Sequence, residues 1–276
     1  MLQRFFYRFM RRLFSEGITS YAAQISYYMI LSLIPFVTLV GMILINTHLV
    51  TASGIINTLS QIHSIPEALR EMVSAVFTNL ERDSGQYYSI YIIVILYSSS
   101  RAMGSISNGL HRVYRTIETR PILVRFFLSI FYTVSFALMI VLFVALVLFG
   151  EALSKAAFSF LGLSRFYVKL ITYLRYCLPL ILMFITYFLL YRFIPTKRVK
   201  FRFVFPGALL ATIVSWVVSL IFSSSVSDIS RYQSIYGGLS QIIIIIIWLW
   251  FICLILLIGA IFNSTLIEFS QNNRGH

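Results

Sequence analysis

Tyr91-Ile-Ile-Val-Ile-Leu-Tyr-Ser-Ser-Ser-Arg-Ala-Met-Gly-Ser-Ile-Ser-Asn108 begins as a lipid-soluble run and turns halfway along into small and hydroxylic residues around one arginine. An apolar helix needs about 20 residues to cross a bilayer, and the strongly apolar part of this stretch, 88–97, is half that. The hydroxylic half must therefore enter the membrane too. Polar groups are tolerated at that depth only where they face other protein or a wet cavity, so the stretch predicts a helix inside a bundle whose walls the rest of the chain supplies.

Of the 276 residues, 59% are apolar and 11% charged, and the mean hydropathy is +0.88. That balance excludes an ordinary soluble domain and predicts an all-α polytopic membrane protein, one membrane domain over 1–276. The formal charge of +13 is divided among short loops. It therefore speaks for orientation and contact with anionic headgroups, and against nucleic acid as a partner. Cys177 and Cys253 lie inside apolar runs, where they read as packing residues; no disulfide framework, metal site or cofactor is expected. Met1 to Phe14 mixes Arg4, Arg8, Arg11 and Arg12 with aromatics and offers no cleavage site, so no signal peptide is expected.

Six membrane-spanning helices are predicted at about 21–46, 87–108, 126–149, 170–191, 203–225 and 239–266. Amphipathic helices are predicted at about 2–15, 65–81 and 151–163, the last two on the outer side. In the first of these Phe5, Phe6, Phe9 and Leu13 share one face, with arginines largely on the other. Ser64-Ile-Pro-Glu67 is a capping box that opens the second. Pro35 in mid-span should kink the first crossing or open a polar pocket beside it. The fifth span carries Gly207, Ala211, Ser215, Ser219 and Ser223 at steps of four, a stripe that lets a neighbouring helix come close and should make this span central. Gln241 and Asn263 of the sixth can hydrogen-bond across helices. With both termini cytoplasmic, only Arg70, Arg82, Lys155, Arg165, Lys169, Arg175 and Arg231 of the 22 lysines and arginines fall outside, an asymmetry that agrees with N-in and C-in.

Ala22-Ala-Gln-Ile-Ser-Tyr-Tyr-Met-Ile-Leu-Ser-Leu-Ile-Pro-Phe36, His111-Arg-Val-Tyr114, Glu118-Thr-Arg120, Tyr191-Arg-Phe-Ile-Pro195, Pro206-Gly-Ala208, Tyr236-Gly-Gly-Leu239, Trp248-Leu-Trp250 and Gly259-Ala260 follow one another in order across nearly the whole chain. As a set they resemble the YihY/BrkB family of bacterial inner-membrane proteins. The resemblance implies a multi-pass protein of the cytoplasmic membrane with six spans. It also brings a ribonuclease BN label regarded as misassigned, a virulence or serum-resistance label, and links to envelope lipid or lipopolysaccharide transport. Family members typically have an acid directly after the Gly-Ala pair of the last span; here that position is Ile261, which puts in doubt any proton-coupling role for that carboxylate.

The residues themselves weigh against catalysis. His48 and His63 fall outside, His111 inside and His276 at the terminus, while Glu16, Glu118 and Glu268 are the cytoplasmic acids, too few and too scattered to hold a metal and activate water. Phosphate-binding glycine loops are absent as well. A conduit suits them better. Arg101, with Ser98, Ser100, Ser105 and Asn108 on the same helix, would meet a phosphate or carboxylate if it stays within the bundle, and anionic headgroups if it snorkels. Gln24, Tyr27 and Tyr28 on the first span and Ser215 and Ser219 on the fifth are candidates to line the same interior, although serine at helix interfaces often only packs. Arg112 and Arg115 are candidates for a basic inner mouth, or plain orientation signals. Asp228, Arg231 and Tyr236 are candidates for an outer gate, or a surface ion pair. The expectation is a transporter or flippase-like conduit for an anionic lipid or lipid-linked envelope precursor. The alternative is a scaffolding membrane protein, and ribonuclease is the least favoured reading. The glycine and serine stripe of the fifth span could mate within one chain or between two.

Overall fold

A computed structural model describes residues 2–46, 53–54, 57, 67–82, 88–132, 165–196, 199–226 and 239–272. Its main helices are α1 (Leu2–Ser15), α2 (Ile18–Asn46), α3 (Glu67–Arg82), α4 (Tyr88–Tyr114), α5 (Ile122–Tyr132), α6 (Arg165–Phe193), α7 (Phe201–Val226) and α8 (Leu239–Asn272); no strand occurs among the described residues. Some helices run past the ends expected from sequence: α4 continues to Tyr114 and α8 to Asn272. Phe201–Ser223 and Ile243–Gln271 are long and apolar enough to cross a membrane. The expected helix at 151–163, most of the third span and the turn carrying Asp228, Arg231 and Tyr236 lie outside the described residues. α2 stays helical through Pro35.

The last helix is the axis of the bundle. α8 is apolar around its circumference, as a helix surrounded by protein and lipid has to be, and it touches α1, α2, α3, α4 and α7. Leu257, Ala260 and Ile261 are wholly buried along it. Ile261, which follows the Gly-Ala pair, is thus a core residue. α7, expected to be central, buries one side, its small-residue stripe together with Val204, Ala208 and Thr212. Gly207, Ala211, Ser215 and Ser219 face inward, while Phe205, Leu209, Ile213 and Val217 on the opposite side are exposed. One stripe of small residues suffices to seat one neighbour, and the remaining faces of α7 carry large apolar residues suited to lipid.

The closest approach lies at Gly207 and Gly259. A Cβ built on Gly207 would sit 2.4 Å from the Gly259 carbonyl oxygen, and one on Gly259 would sit 2.8 Å from the Gly207 carbonyl oxygen. Asn263 fastens the crossing: its Oδ1 accepts the Gly207 N–H at 2.8 Å and its Nδ2 donates to the Val204 carbonyl at 3.2 Å. The interhelical role expected of Asn263 is the one observed. Tyr191 of α6 adds a bond to the Leu256 carbonyl at 2.7 Å, and Tyr187 one to Ser215 Oγ at 2.7 Å. Met72 of α3 packs against Ile245 and Leu249 of α8, and α3 also lies on α2.

α1 departs from its expected pattern. Phe5 and Phe9 pack edge-on against Phe262 of α8, whereas Phe6 is exposed and Arg12 is 4% exposed. The arginine goes inward because the α1–α2 junction, α8 and the end of α4 supply acceptors for all three of its nitrogens: Glu16 Oε1 for Nε at 2.8 Å, Ser264 Oγ for Nη1 at 2.9 Å and the Val113 carbonyl for Nη2 at 2.6 Å. Glu268 Oε1 stands 3.3 Å from Nη1. Arg115 pairs with the same two acids, Glu16 at 3.5 Å and Glu268 at 3.4 Å, so two cations and two anions close into a neutral quartet. Arg115 holds φ at +51°, the left-handed residue that ends α4, where glycine is the usual occupant. Thr116 N–H closes that cap on the His111 carbonyl at 2.9 Å.

Candidate functional site

Where α4 turns hydroxylic, α2, α4 and α5 together line a cleft of about 390 Å³. On α4 the residues Arg101, Gly104, Ser105 and Asn108 recur at helical spacing on one face of the cleft, joined by Ser100 and Ser107. α2 contributes Gln24 and Tyr28, one turn apart. α5 contributes Arg125, Ser129 and Tyr132 at steps of four and three, and the chain between α4 and α5 adds Glu118 and Arg120. Gly104 has open space before it, since a Cβ built there would meet nothing within 4 Å. The Ser129 hydroxyl donates to the Ser99 carbonyl at 3.2 Å and so pins α5 to α4.

The cleft has a charge imbalance. Three guanidiniums, Arg101, Arg120 and Arg125, face one carboxylate, Glu118. Arg120 sits against that carboxylate, its Nε 3.9 Å from Oε1, and its Nη2 donates to the Phe193 carbonyl at 3.3 Å. Among the described residues no carboxylate pairs with Arg101 or Arg125. Arg101 is exposed, and it leans on Tyr97 with Nη2 3.4 Å from the hydroxyl and Cζ 5.6 Å from the ring centroid. Apolar side chains form the lip: Ile122 and Phe126 line the cleft, and Phe127 and Phe131 continue the exposed flank of α5. Such an arrangement can take an anionic group on guanidiniums and hydroxyls while an attached hydrocarbon lies outside along α5.

Of the residues singled out from sequence, Arg101, Ser100, Ser105, Asn108, Gln24 and Tyr28 come together in this cleft. The others go elsewhere. Ser98 is buried and bonds back to the Val94 carbonyl at 2.8 Å. Tyr27 is exposed and meets Tyr28 edge to face. Ser215 and Ser219 are buried on the side of α7 that carries the stripe, bonded to Tyr187 and Trp248. Arg112 lines a separate hollow of about 450 Å³ with Ser15, Glu16, Gly17, Ser20 and Tyr21, and Gln24 borders both hollows. Arg115 belongs to the quartet. Glu118, Arg120, Arg125 and Tyr132 were missed, because the charges before Phe126 read as orientation signals. The spacing of Arg125, Ser129 and Tyr132 was the available clue, once the helix is allowed to begin at Ile122.

A second polar knot lies under the cleft. His111, buried, joins Ser107 and Glu118 to Thr196 beyond the end of α6, and Thr196 bonds back to the Ile117 carbonyl at 3.1 Å. Among the described residues no three His, Cys, Asp or Glu side chains gather as a metal site requires.

Residues 9–276 match the family model described as Virulence factor BrkB. YfkH of Bacillus subtilis, whose name calls it ribonuclease-like, is 29% identical over 263 residues, covering 94% of each chain. A UPF0761 membrane protein of Idiomarina loihiensis is 27% identical over 222 residues, 74% of this chain and 75% of its own. A UPF0761 membrane protein of Alteromonas mediterranea is 26% identical over 269 residues, 96% of this chain and 88% of its own. No solved structure matches the chain.

Proposed function

The chain belongs to the family of the virulence factor BrkB, and from that premise we propose that it is a six-crossing protein of the bacterial cytoplasmic membrane, with both termini cytoplasmic, that serves as a conduit for an anionic amphipathic molecule such as a lipid or lipid-linked envelope precursor. The carrying observation is the cleft, with three guanidiniums against one carboxylate and an apolar flank at its lip. Phosphate or carboxylate oxygens displace water from Arg101 and Arg125, the serine hydroxyls and Asn108 supply further hydrogen bonds, and acyl chains follow Phe127 and Phe131. The topology is supported by one end of the bundle, where the junction of α1 and α2, the last turn of α4 and the last turns of α8 are bound together through Arg12. The neighbouring turn after α6 joins the same end through Thr196 and the Ile117 carbonyl.

Reconstitution of the pure protein in vesicles, following labelled phosphatidylglycerol between leaflets, tests this reading. Wild-type protein accelerates exchange, Arg101→Ala slows it, and Arg101→Lys, which keeps charge but loses the planar fork, is intermediate. Exchange equal to that of protein-free vesicles overturns the conduit for this lipid class and favours the scaffold. A nuclease assay with metal and with chelator tests the activity that the name of YfkH suggests.

A further inference from the structure

The knot beneath the cleft contains a histidine whose hydrogens can be counted. His111 is 5% exposed, so its ring nitrogens need partners inside the protein. Nδ1 lies 2.7 Å from the Ser107 carbonyl oxygen, which can only accept, so Nδ1 carries a hydrogen. Nε2 lies 2.9 Å from Thr196 Oγ1 and 3.6 Å from Glu118 Oε2. Thr196 has one hydroxyl hydrogen and donates it to the Ile117 carbonyl at 3.1 Å. With that hydrogen on Ile117, Nε2 donates toward Thr196; with it turned to Nε2, the ring nitrogen is bare. Glu118 receives throughout: Ser107 Oγ donates to its Oε2 at 3.1 Å and the Arg120 backbone N–H to its Oε1 at 3.2 Å. The count closes in two ways that differ by one proton: an imidazolium beside a carboxylate with Thr196 on the Ile117 carbonyl, or a neutral ring with Thr196 on Nε2.

We infer that His111 and Glu118 form a proton-binding site that sets the charge of the anion cleft, so that proton uptake and anion binding favour each other. The inference deepens the conduit reading and rests on it. Glu118 and Ser107 line the cleft while His111 sits behind them. When the ring loses its Nε2 hydrogen, the Thr196 hydroxyl turns to the bare nitrogen and releases the Ile117 carbonyl. Glu118 then keeps Arg120 as its one neighbouring cation, and the cleft becomes one charge more negative next to the anion. Affinity for the anion is therefore high at low pH and falls as pH rises. By reciprocity an occupied cleft holds the proton more firmly. A conduit built this way responds to a proton gradient.

The other charges around the pair do not supply the effect. Arg120 on the connecting chain, and Arg101 and Arg125 on the cleft walls, stay charged throughout. Arg112 faces the other hollow. Arg12, Arg115, Glu16 and Glu268 form their own neutral quartet about Val113, on roughly the opposite side of α4. Arg192 is taken by the Val199 carbonyl and the Phe201 ring. Gln24 of α2 brings no charge.

The test uses the full chain in phosphatidylcholine nanodiscs with nitrogen-15 histidine, the His111 signals being assigned by His111→Gln, and dihexanoylphosphatidylglycerol as the probe. At a pH where both forms of His111 are present, the fraction carrying both ring hydrogens rises when the probe is added. Between the pH at which the ring carries both hydrogens and the pH at which it carries one, probe affinity falls roughly fivefold in wild type, as one charge about 8 Å from the anion predicts at an effective dielectric near 40. Glu118→Gln removes the carboxylate and is flat with pH at the high-affinity value; His111→Gln loses the slope as well. The inference is overturned by a neutral His111 at every pH with and without probe, by wild-type affinity that ignores pH, by retention of the slope in His111→Gln, or by no probe binding at any pH. The two readings separate cleanly. Probe binding with the expected slope but no exchange in vesicles sinks the conduit and leaves the proton site, whereas exchange and probe binding that both ignore pH do the reverse.

Discussion

Replacing Gly207 by alanine puts a methyl group at the point where α7 and α8 cross. The new Cβ lies 2.3 Å from Asn263 Oδ1 and 2.4 Å from the Gly259 carbonyl oxygen. The amide can swing aside only by giving up its bonds to Gly207 and Val204, and the carbonyl is backbone and cannot swing at all. Ordinary contact begins at 3.4 Å, so the helices must part by about 1 Å. Parting is resisted by α6, which Tyr187 ties to Ser215 of α7 and Tyr191 ties to the Leu256 carbonyl of α8. Overpacking of this kind costs about 1–3 kcal/mol. Two interhelical hydrogen bonds in a membrane protein add about 0.6 kcal/mol each, for a total of roughly 2–4 kcal/mol. Unfolding in mixed detergent micelles, titrated with dodecyl sulfate, reads the loss directly. Gly104→Ala is the control, because its Cβ meets nothing within 4 Å; it unfolds like wild type or gains up to about 1 kcal/mol from helix propensity. A Gly207→Ala protein within about 0.5 kcal/mol of wild type, beyond what surface substitutions do, refutes the close-crossing argument.

Arg12→Met strips the charge from a buried fork and leaves Glu16 inside with one exposed cation for company, a loss of about 3–5 kcal/mol in the same unfolding assay; Arg12→Lys recovers less than half, since one ammonium cannot serve Glu16, Ser264 and Val113 together. Arg115→Gly loses two ion pairs of an exposed side chain, about 0–1 kcal/mol, and gains about 1 kcal/mol from relief of its left-handed backbone, so stability stays within about 1 kcal/mol of wild type. Gly104→Leu fills open space in the cleft; its unfolding midpoint matches wild type while leaflet exchange of labelled phosphatidylglycerol falls several-fold, and unchanged exchange counts against the cleft as the path.

Local pattern carried much of this architecture. The step of four from Gly207 to Ser219 identified the buried face of α7, and the hydroxylic half of α4 identified one wall of the cleft, because both features repeat at the period of one helix. Gln24 and Tyr28 were legible on the same ground. What stayed hidden depends on partners remote in the chain. Arg12 looks like any basic flank until Val113 and Ser264 are brought to it. Ser215 looked like a lining residue until Tyr187 from another helix reached it. Expecting α7 at the centre failed for a related reason: a stripe specifies one close neighbour, whereas a central helix needs neighbours on several sides, and among the described helices α8 has the most. His111 read as one of four scattered histidines, and its bond to Thr196 comes from 85 positions later.

The shelter built for Arg12 also has a timetable. Among the described helices α1 is made first, yet the Val113 carbonyl is synthesised 101 positions after Arg12 and the Ser264 hydroxyl 252 positions after it. Until α8 has arrived, that guanidinium has Glu16 beside it and part of its fork unserved. Latching of α1 therefore reports that α8 is in place, and copies cut short before Ser264 hold Arg12 with an incomplete set of bonds.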